Sequence, residues 1–135
     1  MSRSSIKQQN MAELIAALEG VARRIRELEA EAATALHDLD DAATYRQKLE
    51  QKTWLLLELP ETLEPLLAGV EKKKAEKIRD KLKNFARRAE PPLELGSPFY
   101  MSALLYPEDY REGAKNDIEL FIERLRDESG LGPPN

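Results

Sequence analysis

His37, Asp38, Asp40 and Asp41 are the one cluster in this chain whose side chains could hold a divalent metal or exchange a proton. On a helix, His37 and Asp41 share a face at i, i+4, and His37 and Asp40 at i, i+3. A protein metal site needs three or four converging ligands. No HExxH and no Glu-x-x-His pair supplies them. The cluster reads as a solvated acidic face with one histidine in it, and no metal or other cofactor is expected. Nucleophilic chemistry also lacks parts. The 135 residues include no cysteine and one histidine, and the six glycines form neither a phosphate loop nor a Gly-x-Ser-x-Gly elbow. Carboxylates acting alone have no pattern in their favour, so an enzyme is not expected.

The second candidate is a basic run. Between Glu71 and Arg88 lie nine cations, Lys72, Lys73, Lys74, Lys77, Arg79, Lys81, Lys83, Arg87 and Arg88, against three acids, Glu71, Glu76 and Asp80, a balance of +6. The formal net charge of the chain is −4, so the remainder carries −10. Glu27 to Asp41 holds six acids and no Lys or Arg. Lys72, Lys73, Lys74, Lys77, Lys81, Arg87 and Arg88 could bind a polyanion such as nucleic acid, gaining affinity by counterion release. A plainer reading is favoured: a hairpin closing at Pro60 would lay 79–88 beside 32–41, and the two stretches would neutralise one another. Only Phe85 interleaves an aromatic ring with the cations, which also speaks against single-strand binding.

The third candidate is apolar. Trp54-Leu55-Leu56-Leu57 would sit at the tip of that hairpin, where it must be covered by the chain's own third helix or by a partner. Aromatic residues such as Trp54 are frequent interface anchors.

These candidates depend on helices. With Met11 at heptad position a, the a positions are Met11, Leu18, Ile25, Ala32, Leu39 and Arg46, and the d positions Leu14, Val21, Leu28, Ala35, Ala42 and Leu49. Eleven of these twelve are apolar, and no proline occurs from residue 6 to 59. Ile15, Ala22, Leu36 and Ala43 widen the stripe to a/d/e, broader than a two-stranded coiled-coil seam. The unbroken phase predicts one long helix, straight or bent, over 6–57, roughly 78 Å at 1.5 Å per residue. That length predicts an elongated, self-associating protein. A second helix is predicted over 61–88, kinked beside Gly69 and ended by Pro91-Pro92. Ser97-Pro98 opens a short third helix over 99–105. A fourth starts at Pro107, with Tyr106, Tyr110, Ala114, Ile118, Phe121, Ile122 and Leu125 inward, and stops at Ser129-Gly130.

The expected fold is an all-α helical bundle built on a long antiparallel helical hairpin plus two shorter C-terminal helices. It would form a single domain over 1–129, with a flexible tail over 130–135. No apolar run approaches the ~20 residues of a membrane span, and helix two would need its apolar face for the bundle, so no membrane partner is expected. The N-terminus shows no secretory apolar region, which points to the cytoplasm. The function expected is non-enzymatic protein–protein association, with itself or another protein, as an adaptor, regulatory or structural subunit. Nucleic-acid association through 72–88 is the alternative.

Overall fold

The structure, a computed structural model, describes residues 3–131. It is an all-α bundle of six helices: α1 (Arg3–His37), α2 (Ala42–Leu57), α3 (Leu59–Leu67), α4 (Lys72–Leu95), α5 (Pro98–Ala103) and α6 (Asp117–Glu128). The a/d/e stripe of α1 is its buried face: Met11, Leu14, Ile15, Leu18, Ala22, Ile25, Leu28, Ala32 and Ala35 all lie inside.

The long helix predicted over 6–57 is broken, and the chain reverses at 38–41 rather than at Pro60. Asp40 takes a left-handed backbone (φ 50°), a conformation Asp tolerates better than most residues. Asp41 caps α2, its carboxylate accepting from the Thr44 N–H at 3.0 Å and from the Thr44 hydroxyl at 2.6 Å. The connection is four residues long, close to one helical turn of sequence. Ala42 and Ala43, stripe positions just after the turn, are exposed, but from Leu49 through Thr53 to Leu56 the buried positions of α2 fall back on the same phase, which is why the heptad hides the turn. Leu39, an a position, projects into solvent.

Pro60 makes a bend instead of a reversal. The ladder is interrupted at Glu58, and Pro60 falls in the first turn of α3, where its missing N–H is tolerated. α2 and α3 continue down α1 in one antiparallel register: Lys48 lies opposite Glu31, Lys52 opposite Glu29, and Asn10 donates to the Gly69 carbonyl at 2.8 Å. The length argument for self-association rested on an unbroken helix and goes with it.

The kink expected beside Gly69 is a second reversal, 68–71. Glu71 closes it by accepting the N–H groups of Lys73 and Lys74 at the start of α4. α4 returns antiparallel, with Arg79 opposite Glu64 and Arg46 bonded to the Gly96 carbonyl. α4 also runs past Pro91-Pro92, which were expected to end it, and stops at Gly96. There a φ of 61° and bonds from Gly96 N to Leu93 O and from Ser97 N to Pro92 O close a Schellman cap. Two interior prolines leave the Arg87 and Arg88 carbonyls without helical partners. Pro91→Ala, at an exposed position, is therefore expected to stabilise the fold. An interior proline costs ~3 kcal/mol against ~1 kcal/mol of unfolded-state entropy it removes, so the net gain is about 1–2 kcal/mol, read as a raised denaturation midpoint.

Ser97 caps α5 as expected, accepting from the Tyr100 N–H. The fourth helix begins at Asp117, ten residues after Pro107. Gly113 has a positive φ of 88°, and Asn116 and Glu119 form a reciprocal capping box that sets the start. Ala114, expected inward, is exposed. α6 packs antiparallel on α1 (Arg126 to Glu19, Arg26 to Glu119) and meets α4 through Phe85 and Phe121, ring centroids 6.0 Å apart. The result is an up-down-up-down arrangement of α1, α2–α3, α4 and α6, with α5 across one end. Of the tail expected over 130–135, Gly130 and Leu131 form the Schellman cap of α6 through Gly130 N to Asp127 O and Leu131 N to Arg126 O; Leu131 packs on the core. Residues 132–135 lie outside the described ones.

Candidate functional surfaces and the buried polar node

The most concentrated chemistry is at a place the sequence did not reveal. Lys52 is fully buried at the junction of α2, α5 and the loop beyond it. Its ammonium donates to the Ser102 carbonyl (3.2 Å) and the Leu104 carbonyl (3.0 Å), and pairs with Glu29 at 2.9 Å. The Tyr106 hydroxyl donates to the other Glu29 oxygen at 2.6 Å. Arg26 donates to the Tyr106 oxygen, to the Ala114 carbonyl and, through two bonds of 2.6 and 3.2 Å, to Glu119. Glu119 in turn accepts from the backbone N–H of the buried Asn116.

Burial lowers the Lys52 pKa, against the pull of Glu29. Burial and the bond to Glu29 raise that of Tyr106. Burial pushes the Glu119 carboxyl up, but Arg26 and the Asn116 N–H together bring it below the usual range. The same bond raises the Arg26 pKa. A lysine needs a free lone pair to act as nucleophile or base. Each of the three Lys52 protons already has an acceptor, so the group serves as a strut that fastens the 102–106 segment to α1 and α2. A lysine flanked by Leu49, Thr53 and Leu56 was the only hint of this in the sequence.

His37, Asp38, Asp40 and Asp41 do not converge. Asp41 is committed to its cap, which with burial opposing holds its carboxyl below the usual range. Among the described residues no group of three or more His, Asp or Glu is placed to hold a metal. Asp41, Glu64, Glu71 and Glu119 all sit below their ordinary pKa values. Groups of this kind contribute stability that is whole above their unfolded values and lost as pH falls through the depressed folded ones. Stability is thus expected to be flat from neutrality down to about pH 5 and to decline progressively below pH 4.5, as urea titrations at stepped pH will show.

Of Trp54, Leu55, Leu56 and Leu57, Leu56 is buried and Leu55 and Leu57 pack against the core. Trp54 is half exposed on the outer side of α2, in mid-bundle and not at a tip. The larger apolar exposure is at the end of the bundle formed by the α1–α2 and α4–α5 turns. There Leu39 is 68 %, Leu95 69 %, Phe99 72 % and Tyr100 53 % exposed, and the Phe99 and Tyr100 rings meet edge to face at 5.3 Å. The exposed acids Asp38, Asp40, Glu90 and Glu94 share this end.

The expected mutual neutralisation of 79–88 by 32–41 does not occur. Because the chain turns at 38–41, the glutamates at 27, 29 and 31 pair with cations of α1 and α2: Glu27 and Glu31 with Arg24, Glu31 also with Lys48, and Glu29 with Lys52. The basic stretch lies toward the other end, beside α3 and α6. Of its nine cations only Arg79 (with Glu64) and Arg88 (with Asp117) have a carboxylate within 4.0 Å among the described residues.

No described helix is long and apolar enough to cross a membrane. Compared with models of protein families, with curated proteins and with solved structures, the chain finds no match in any of the three.

Proposed function

We propose that this protein acts without catalysis, by associating with another protein as an adaptor or regulatory subunit, and that the partner docks on the end bearing Leu39, Leu95, Phe99 and Tyr100. The observation that carries this reading is the exposure of four large apolar side chains at one end of a bundle whose remaining large apolar residues are mostly inside. A Phe and a Leu more than two-thirds exposed contribute little to folding, and large apolar side chains left in water, here with Phe99 and Tyr100 in contact, mark interaction surfaces. An exposed pair of aromatic rings meeting edge to face supplies the type of side chain that dominates interface energies. Asp38, Asp40, Glu90 and Glu94 around it favour a partner whose apolar side chains are flanked by Lys or Arg. Trp54 stands apart from this end, and of the four residues expected at an interface it is the most exposed, Leu55 and Leu57 being partly buried and Leu56 buried.

The test is a photo-crosslinking amino acid placed at Phe99 in the full chain, expressed in its native cells, with Ala16 on the exposed side of α1 as the comparison site. A discrete adduct from position 99, lost when Leu95→Asp and Tyr100→Asp are added, is the expected result. No more adduct at 99 than at 16 contradicts the reading. Leu95→Ser with Phe99→Ser is expected to leave folding stability within about 0.5 kcal/mol of the parent, since both side chains lie mainly in water; a thermal melt checks it.

A further inference from the structure

Two clefts flank α6, and their charges differ. The larger, about 460 Å³ between α1 and α6, holds four cations against four acids, Glu19, Glu119, Glu123 and Asp127, and all the cations but Arg23 are paired among the described residues: Arg26 with Glu119, Arg126 with Glu19, Lys115 with Glu123. The other, about 310 Å³ between α4 and α6, is lined by Lys74, Lys77, Lys81 and Arg124, with Glu128 as its one acid. None of these four cations has a carboxylate within 4.0 Å among the described residues. The three lysines line up with Arg88 because positions 74, 77, 81 and 88 follow the i, i+3, i+7, i+14 spacing of one face of α4, and Arg124 faces them from α6. Lys81 is held over the Phe85 ring at 5.1 Å. Arg88, paired with Asp117, closes the far end of the strip. The acids Glu76 and Asp80 of α4 fall on its outer side, by the same periodicity.

We infer that this α4–α6 groove is a binding site for the phosphodiester backbone of nucleic acid. A line of cations along about 21 Å of helix, from 74 to 88 at 1.5 Å per residue, matches a ligand whose negative charges recur at regular intervals. An anionic membrane fits less well, because the apolar face of α4 (Ala75, Ile78, Leu82, Phe85, Ala89) is buried in the core and none is left to insert. The strip presents no exposed aromatic ring for base stacking, so contacts stop at the phosphates and carry no sequence preference. The overall charge of −4 does not oppose this. The excess acid lies toward the other end and orients the basic side toward a polyanion.

Fluorescence anisotropy of a labelled 24-base-pair duplex with the full chain, from 20 to 200 mM salt, tests the site. Binding at low salt is expected, with log K falling against log salt at a slope of about −3 to −4, the value for roughly four phosphate contacts on duplex DNA. Lys74→Glu, Lys77→Glu and Lys81→Glu together are expected to weaken binding at least tenfold. Lys83→Glu with Arg87→Glu, on the outer side of α4, should weaken it less. Arg124→Gln, a single change on α6, is expected to reduce the slope by about 1 while the circular-dichroism spectrum stays unchanged. No binding at 20 mM salt overturns the inference. So does an equal loss from the outer-side variant, or equal affinity for anionic phospholipid vesicles or for polyglutamate.

Discussion

Lys52→Ala is expected to destabilise the fold by about 3–5 kcal/mol, the effect of removing one partner from a buried ion pair. Three groups lose their counterpart at once: the Glu29 carboxylate and the carbonyls of Ser102 and Leu104. The four-carbon stem leaves a void as well. A domain of this size has about 5–15 kcal/mol in total, so the variant should unfold at a much lower urea concentration. The comparison that isolates the cause is Lys52→Met, which keeps the stem and removes the charge. It should fall between the parent and Lys52→Ala, and adding Glu29→Gln should recover part of the loss, because the carboxylate left behind is then neutral. An alanine variant within 1 kcal/mol of the parent would mean that the ammonium is not enclosed by these acceptors.

Phe85→Ala is the other large effect. Phe85 is among the largest fully buried side chains and carries the contact between α4 and α6 through Phe121. Truncation of a buried phenylalanine costs about 3–5 kcal/mol, and here it removes a ring that joins two helices not linked in sequence. Phe85→Leu, which fills most of the space, should lose clearly less. The same ring supports Lys81, so the leucine variant should also bind duplex DNA more weakly than the parent, if less so than the triple charge reversal. Urea midpoints for both variants, with anisotropy for the folded one, check the pair of effects.

The helical class was readable because burial follows periodicity. Every apolar residue buried on α1, from Met11 to Ala35, belongs to the a/d/e stripe, and Ala75, Ile78, Leu82, Phe85 and Ala89 on α4 keep the 3-4-3-4 spacing. Connections were less readable. A turn at 38–41 that is about one helical repeat long leaves the phase untouched, while Pro60, the louder local signal, only bends the chain because it falls where a first turn tolerates it. The Asn116-x-x-Glu119 capping box was present in the sequence and marks the true start of α6, yet Pro107 offered an earlier one. The misplaced reversal had a further consequence. It set the acidic and basic stretches side by side, and with them went the reason to discount the cations of α4. The polar node was harder still, since Lys52, Glu29, Tyr106 and Glu119 come from four separate segments, and no spacing within one segment encodes their meeting.

The position of the first reversal decides how these charges are arranged, and a single distance reports it. The chain has no cysteine, so Thr34→Cys and Lys83→Cys, both at exposed positions, can carry spin labels without interference. With Glu31 opposite Lys48 and Arg46 beside Gly96, Thr34 lies level with the end of α4, about 20 Å along the helix from Lys83 at 1.5 Å per residue. Pulsed electron resonance should therefore give a modal separation at or above about 20 Å; a modal distance near 10 Å, as adjacent helices would give, would place the fold-back at Pro60 and set the acids against the lysines.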